Sequence, residues 1–163
     1  MAVKLVLLGS VVCLCLVQRV SSFATGAPSG ACEDLVPQHG VDGQKSASPY
    51  VIQPSLTKVK PGGKTEIVIF SPKKQSFKGF ILQARVGDIP YGTFEPSNQY
   101  SLLDCTHGKR NTATHKNADE KYNVTLIWNA PAKLRESVKF TGTIAKNGGE
   151  FWIAQQSVPV LVQ

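Results

Sequence analysis

Histidine occurs three times in this sequence, methionine once and cysteine four times, and charged residues make up only 18% of it. The scarcity of histidine and cysteine limits metal chemistry, because a zinc centre needs three or four His, Cys or carboxylate ligands gathered in one place. His39, His107 and His115 read as ordinary turn or surface imidazoles. Also missing are a G-x-S-x-G elbow, an H-E-x-x-H pair and a glycine-rich phosphate loop opening a helix. Adjacent carboxylates do occur, Glu33-Asp34 and Asp119-Glu120. Neighbours on a strand point to opposite faces, and in a loop they are solvated, so no paired acid and base is expected from them. No catalytic residue, cofactor or metal site is expected. Beyond the N-terminal run, no segment sustains a 3.6-residue apolar period, which excludes a helical fold.

Long hydrophobic runs are missing too, with one exception. Lys4 precedes "LVLLGSVVCLCLV", thirteen almost unbroken apolar residues, and small residues at "VSS" or "SFA" follow. That is the layout of a secretory signal peptide over residues 1–22, with cleavage expected after Ser22 or, as the alternative, after Ala24. The run is too short to cross a hydrocarbon core about 30 Å thick, so a secreted, extracellular protein with no membrane span is expected. Residues 23–163 then form one domain. Lys4 and Arg19 leave with the leader and no acid does, so the formal net charge falls from +7 to +5. Such a bias suits acidic glycans, lipids or bacterial envelopes. Nucleic acid is not an expected partner, because no aromatic residues interleave with the basic ones in a stacking pattern.

Cys13 and Cys15 lie in the leader, leaving Cys32 and Cys105. In an oxidising compartment these two most simply pair with each other. The bond would close a loop of about 74 residues, worth roughly 4 kcal/mol in the chain-entropy account. In "GACEDLVPQHG" (30–40), Cys32 is therefore a staple, Pro37 and Gly40 set a turn, and the acids and His39 are local or solvated groups.

What is present in quantity is β pattern. Short β-branched and aromatic runs alternate with Pro, Gly, Asn and Ser. They include "PYVIQPS", "TEIVIF", "FKGFILQARV", "GTFEP", "YSLLDC", "NVTLIWNAP", "SVKFTGTIA", "EFWIAQQ" and "SVPVLVQ". In the third, Phe80, Leu82, Ala84 and Val86 share a face. Val124, Leu126 and Trp128 do so in the sixth, and Val138, Phe140 and Ile144 in the seventh. "KNGGE" marks a hairpin. About eight or nine strands at this spacing predict an all-β, immunoglobulin/fibronectin-like antiparallel sandwich. Phe80, Trp128, Phe140 and Trp152 are large enough to fill its core, which leaves no room for a ligand between the sheets. The polar stretch 104–121 is expected to be one long loop.

Basic residues cluster near turns. Lys58, Lys60 and Lys64 flank one, Lys73, Lys74 and Lys78 another, and Lys109 and Arg110 sit in the long loop. Lys73, Lys74, Lys78, Lys109 and Arg110 are the candidate contacts for phosphates or acidic sugars. Lysines beside strand ends also guard against edge-to-edge pairing, and nothing in the sequence shows that the clusters share a face. Asn123-Val124-Thr125 is a glycosylation sequon at the start of a strand.

Five stretches together, "SGACEDLVPQHG", "PYVIQPS", "FKGFILQAR", "TLIWNAP" and a late "FW", resemble the reeler (reelin-type) domain family and span nearly all of the chain after the leader. A short secreted reeler domain is similar to the insect haemolymph defence proteins of the noduler type. The resemblance implies an immunoglobulin-like sandwich and a Cys32–Cys105 disulfide. It also implies a role in innate immunity: binding of bacterial envelope components such as lipopolysaccharide or lipoteichoic acid, and promotion of haemocyte aggregation. The alternative reading is a matrix or adhesion module that binds a host protein.

Overall fold

The computed structural model describes residues 24–163. The leader expected at residues 1–22 lies outside the described residues. Twelve strands appear in chain order: β1 (Val51–Pro54), β2 (Lys58–Val59), β3 (Lys64–Phe70), β4 (Gly79–Val86), β5 (Ile89–Pro90), β6 (Thr93–Phe94), β7 (Tyr100–Leu103), β8 (Thr112–His115), β9 (Asn123–Asn129), β10 (Ser137–Asn147), β11 (Glu150–Gln156) and β12 (Val160–Val162). Nine of them exceed two residues. One sheet has the order β1-β3-β9-β6. The other runs β2-β12-β10-β4-β8-β7, with β11 also pairing β10 and β5 pairing β4. The fold is a nearly all-β, two-sheet sandwich. Pairing is antiparallel except between β12 and β2, which run parallel.

The alternation read in the sequence explains the core. Ile67 and Ile69 on β3 sit beside Leu126 and Val124 on β9, register partners facing inward. From the second sheet Phe80, Leu82, Ala84, Val138, Phe140 and Ile144 meet them. Trp128 stands edge-on to Phe140 with centroids 5.4 Å apart, and its Nε1 donates to the Tyr91 carbonyl at 2.9 Å. Such pairs add to the area term because ring edges and faces carry opposite partial charge. Gly148 and Gly149 turn β10 into β11 where Asn147 faces Glu150.

One feature differs from the sequence reading, and a second was not foreseen by it. The stretch 104–121 is not a single loop, because β8 lies within it and pairs with both β4 and β7. Strand β4 also has no open face: seven of its eight residues are buried. Its second face is covered by residues 24–40, an arm that includes a short 3-10 turn at Ser29–Ala31. Leu35, fully buried and at φ 60°, forms a second small core with Ala31 and Ile81. Around this plug the arm's backbone is bound by side chains of the sheet. Thr143 Oγ1 donates to the Leu35 carbonyl at 2.6 Å, and the Ala27 amide donates to Thr114 Oγ1 at 2.8 Å. Gln83 Nε2 donates to the Cys32 carbonyl. Arg85 Nη2 reaches the Cys32 and Glu33 carbonyls, and its Nε donates to Gln83 Oε1 at 2.7 Å. Cys32 and Cys105 are joined by a disulfide with Cα atoms 5.5 Å apart.

Candidate functional site

Strand register decides which basic residues share a surface. Lys73 and Lys74 lie on the turn after β3, and Lys78 immediately precedes β4. Lys109 and Arg110 precede β8, whose Thr112 pairs with Gln83. That position is five residues beyond Lys78 along β4, roughly 17 Å at about 3.3 Å per residue. The two clusters therefore occupy opposite ends of the sandwich and form no single patch.

The two ends differ in how free their cations are. Lys109 Nζ is held by Asp104 Oδ2 at 2.9 Å, while the Arg110 amide donates to Asp104 Oδ1 at 2.8 Å. The Arg110 backbone bond, followed by the Lys109 side chain, holds the Asp104 carboxyl below its ordinary range. Lys73, Lys74 and Lys78 are exposed and make no ion pair among the described residues. Lys116 joins them from the loop after β8.

This loop is organised by Lys121. Its ammonium donates to the carbonyls of Asp119 at 2.7 Å, Asn117 at 2.8 Å and Lys78 at 3.2 Å, and to Asn117 Oδ1 at 3.1 Å. Burial lowers the Lys121 pKa, and the charge of Asp119 opposes the shift. One lysine thus ties the 116–121 loop to the backbone beside β4.

Between this loop, the arm and the outer face of β4 and β10 lies a cleft of about 340 Å³. Ala27, Ala31, Pro37, Ile81 and Ala145 make most of its wall apolar, and Lys78, His39, His115 and Asn147 supply polar groups. Gly79 leaves space here, since a Cβ on it would meet the His115 ring at 3.4 Å. His115 Nδ1 sits 3.2 Å from the Phe80 carbonyl and 3.3 Å from the Phe80 amide. His39 stands edge-on to Phe151 with centroids 5.5 Å apart. Its Nδ1 is sealed from solvent without a hydrogen-bond partner among the described residues. Burial lowers the His39 pKa below 6.5, the nearby Gly148 backbone opposes the shift, and the charge of His115 adds to it. Among the described residues, no three of His, Cys, Asp or Glu gather as metal ligands.

The cleft escaped the sequence reading, which took His39 and His115 as surface groups. The only local trace was a histidine beside Pro37 and Gly40, and its burial follows from the arm crossing the sheet. Asn123, at the exposed start of β9, keeps its sequon open to solvent.

A disulfide-stapled β-sandwich that carries its polar groups on loops and a strapped-down arm is a scaffold of the immunoglobulin-like class. The chain belongs to the Reeler domain family, which it matches over residues 30–163. It is 39% identical over 171 aligned residues to a Bombyx mori protein provisionally named a defense protein, covering 99% of both chains. It is 33% identical to the Defense protein l(2)34Fc of Drosophila melanogaster, covering 94% of this chain and 97% of that one. The crystal structure of the human F-spondin reeler domain superimposes with a TM-score of 0.61 at 15% identity, covering 75% of this chain and 94% of that one. At that identity the likeness speaks for the fold alone.

Proposed function

We propose that the protein is a secreted defence protein that binds anionic components of microbial envelopes, lipopolysaccharide or lipoteichoic acid, without being an enzyme. Binding at the lysine-rich end of the sandwich then promotes haemocyte aggregation or an antibacterial response. The observation that carries this reading is the set Lys73, Lys74, Lys78 and Lys116, exposed and outside any ion pair among the described residues, on loops anchored to rigid strands. The defence names of two close relatives support it. Lys109 and Arg110 become secondary contacts, because Asp104 already engages the Lys109 ammonium and both lie at the opposite end of the sandwich from the lysine set.

The test is retention of purified protein on whole bacteria at about 0.15 M salt, where exposed charges more than ~8 Å apart are largely screened. Wild type should be retained and should be displaced by soluble lipopolysaccharide or lipoteichoic acid. Glutamate at Lys73, Lys74 and Lys78 should abolish retention, whereas glutamate at Lys109 and Arg110 should weaken it little. Equal retention of both variants would sink the assignment to this end. Secretion is tested in insect cells, with N-terminal sequencing expected to begin at Phe23. A mass shift on deglycosylation would place a glycan on Asn123.

A further inference from the structure

The lysines beside the cleft would hold any polyanion, but the cleft itself is too apolar for a bare anion and too narrow for a folded chain. At ~30 Å³ per water-sized group it admits about eleven such groups, the low end of the range for small-molecule sites. Its floor is Gly79, Ile81 and Ala145 on the outer face of the sheet, and its roof is the arm at Ala27, Ala31 and Pro37. Few polar groups converge on it, so it does not suit a sugar, whose hydroxyls would each need a partner. The charged groups at its rim are mostly cationic. The segments 71–78, 116–121 and 146–150 around the mouth carry six lysines against three carboxylates. One of those carboxylates, Glu150, is already held by Lys146 at 2.9 Å. A cationic ligand is disfavoured there.

We propose that this cleft binds a single acyl chain bearing an anionic headgroup, with the chain against Ile81, Ala145 and the arm and the headgroup at Lys78. The proposal rests on the envelope-binding reading and names the part of the envelope amphiphile that enters the protein. The arm acts as a fixed roof, held by the Leu35 plug and the Cys32–Cys105 bond, so the site needs no rearrangement to accept a chain.

The probe is dodecyl phosphate below its micellar concentration, titrated into the secreted protein by calorimetry. Inorganic phosphate and dodecanol serve as the separate headgroup and chain. Dodecyl phosphate should bind one to one and at least roughly tenfold more tightly than either fragment. Two variants aim at the chain: Ala145→Leu from the floor and Ala118→Trp from the exposed loop at the mouth. Each should weaken dodecyl phosphate roughly tenfold and leave inorganic phosphate unchanged. Lys78→Ala should weaken dodecyl phosphate and leave dodecanol unchanged. Should Ala145→Leu fail to fold, Ala118→Trp carries the test, because it adds bulk at an exposed position. Unchanged affinity in the filled variants, or inorganic phosphate matching dodecyl phosphate, overturns the proposal. If bacteria are retained while dodecyl phosphate neither binds nor competes, the acyl site is wrong and the envelope reading stands. Loss of both removes the two together.

Discussion

Replacing Cys32 and Cys105 together by alanine should lower stability by about 4 kcal/mol while leaving the fold intact. The two residues are 73 apart in sequence, and closing a loop of that length removes roughly 15 cal/mol/K from the unfolded chain, about 4.4 kcal/mol at 25 °C. Alanine is chosen over serine because Cys105 is buried and a hydroxyl there would need a partner. The native arm keeps its other attachments, the Leu35 plug and the bonds from Thr143, Gln83 and Arg85. A domain of this size is stable by about 5–15 kcal/mol, so the variant should still fold at room temperature. At about 2–4 °C per kcal/mol, calorimetry should show the midpoint lower by roughly 8–16 °C. Reducing agent should bring wild type to the same midpoint. A drop below about 4 °C in the variant would refute the loop-closure reasoning and mean that the arm's contacts already restrict the unfolded chain.

Three further perturbations test other parts of the structure. Gly92→Ala should cost more than about 2 kcal/mol in urea unfolding, because Gly92 has φ 74° and a Cβ there would collide with the Asn129 carbonyl and the Trp128 indole. Lys121→Met removes the donor shared by four oxygens, so hydrogen exchange in residues 116–121 should quicken and stability should fall by about 1–3 kcal/mol. His39 has a folded-state pKa below its ordinary 6.5, so the unfolded chain binds the proton first. Its contribution is complete above pH 6.5 and is lost as pH falls below it, and His39→Gln should flatten that part of the stability–pH curve. Coincident curves for the two proteins would show that the burial of His39 is not felt.

The strands that were legible in advance are those with one wet face. β3 and β9 alternate in burial because only one side of their sheet meets the core, so Ile67 and Ile69 follow Glu66, and Val124, Leu126 and Trp128 stand out against Asn123, Thr125 and Asn129 even though Val68 and Ile127 on the wetter face are apolar. β8 was invisible for the opposite reason. Thr112, Ala113 and Thr114 are all fully buried, and the threonine hydroxyls are satisfied across the sheet and by the arm, so no apolar–polar rhythm remains. Gln83 and Arg85 on β4 likewise carry no local sign of their burial, for they serve the backbone of a segment some fifty residues earlier. The candidate site was legible only in part. Lys73, Lys74 and Lys78 are local to one turn, but their distance from Lys109 is a matter of register, and the cleft needs an arm whose path no local pattern encodes.

Arg85 has a further consequence for how this molecule is to be studied. It is only 8% exposed, and every direct contact it makes is with a carbonyl or amide oxygen. The three ion pairs among the described residues, by contrast, are all at the surface. The roof of the cleft is therefore fastened by dipoles, a disulfide and a leucine, none of which added salt readily displaces. Ionic strength becomes a clean experimental dial: it can be raised to strip a ligand from the lysine-rich end while the scaffold beneath stays as it was, and the slope of that titration counts the charges the ligand brings.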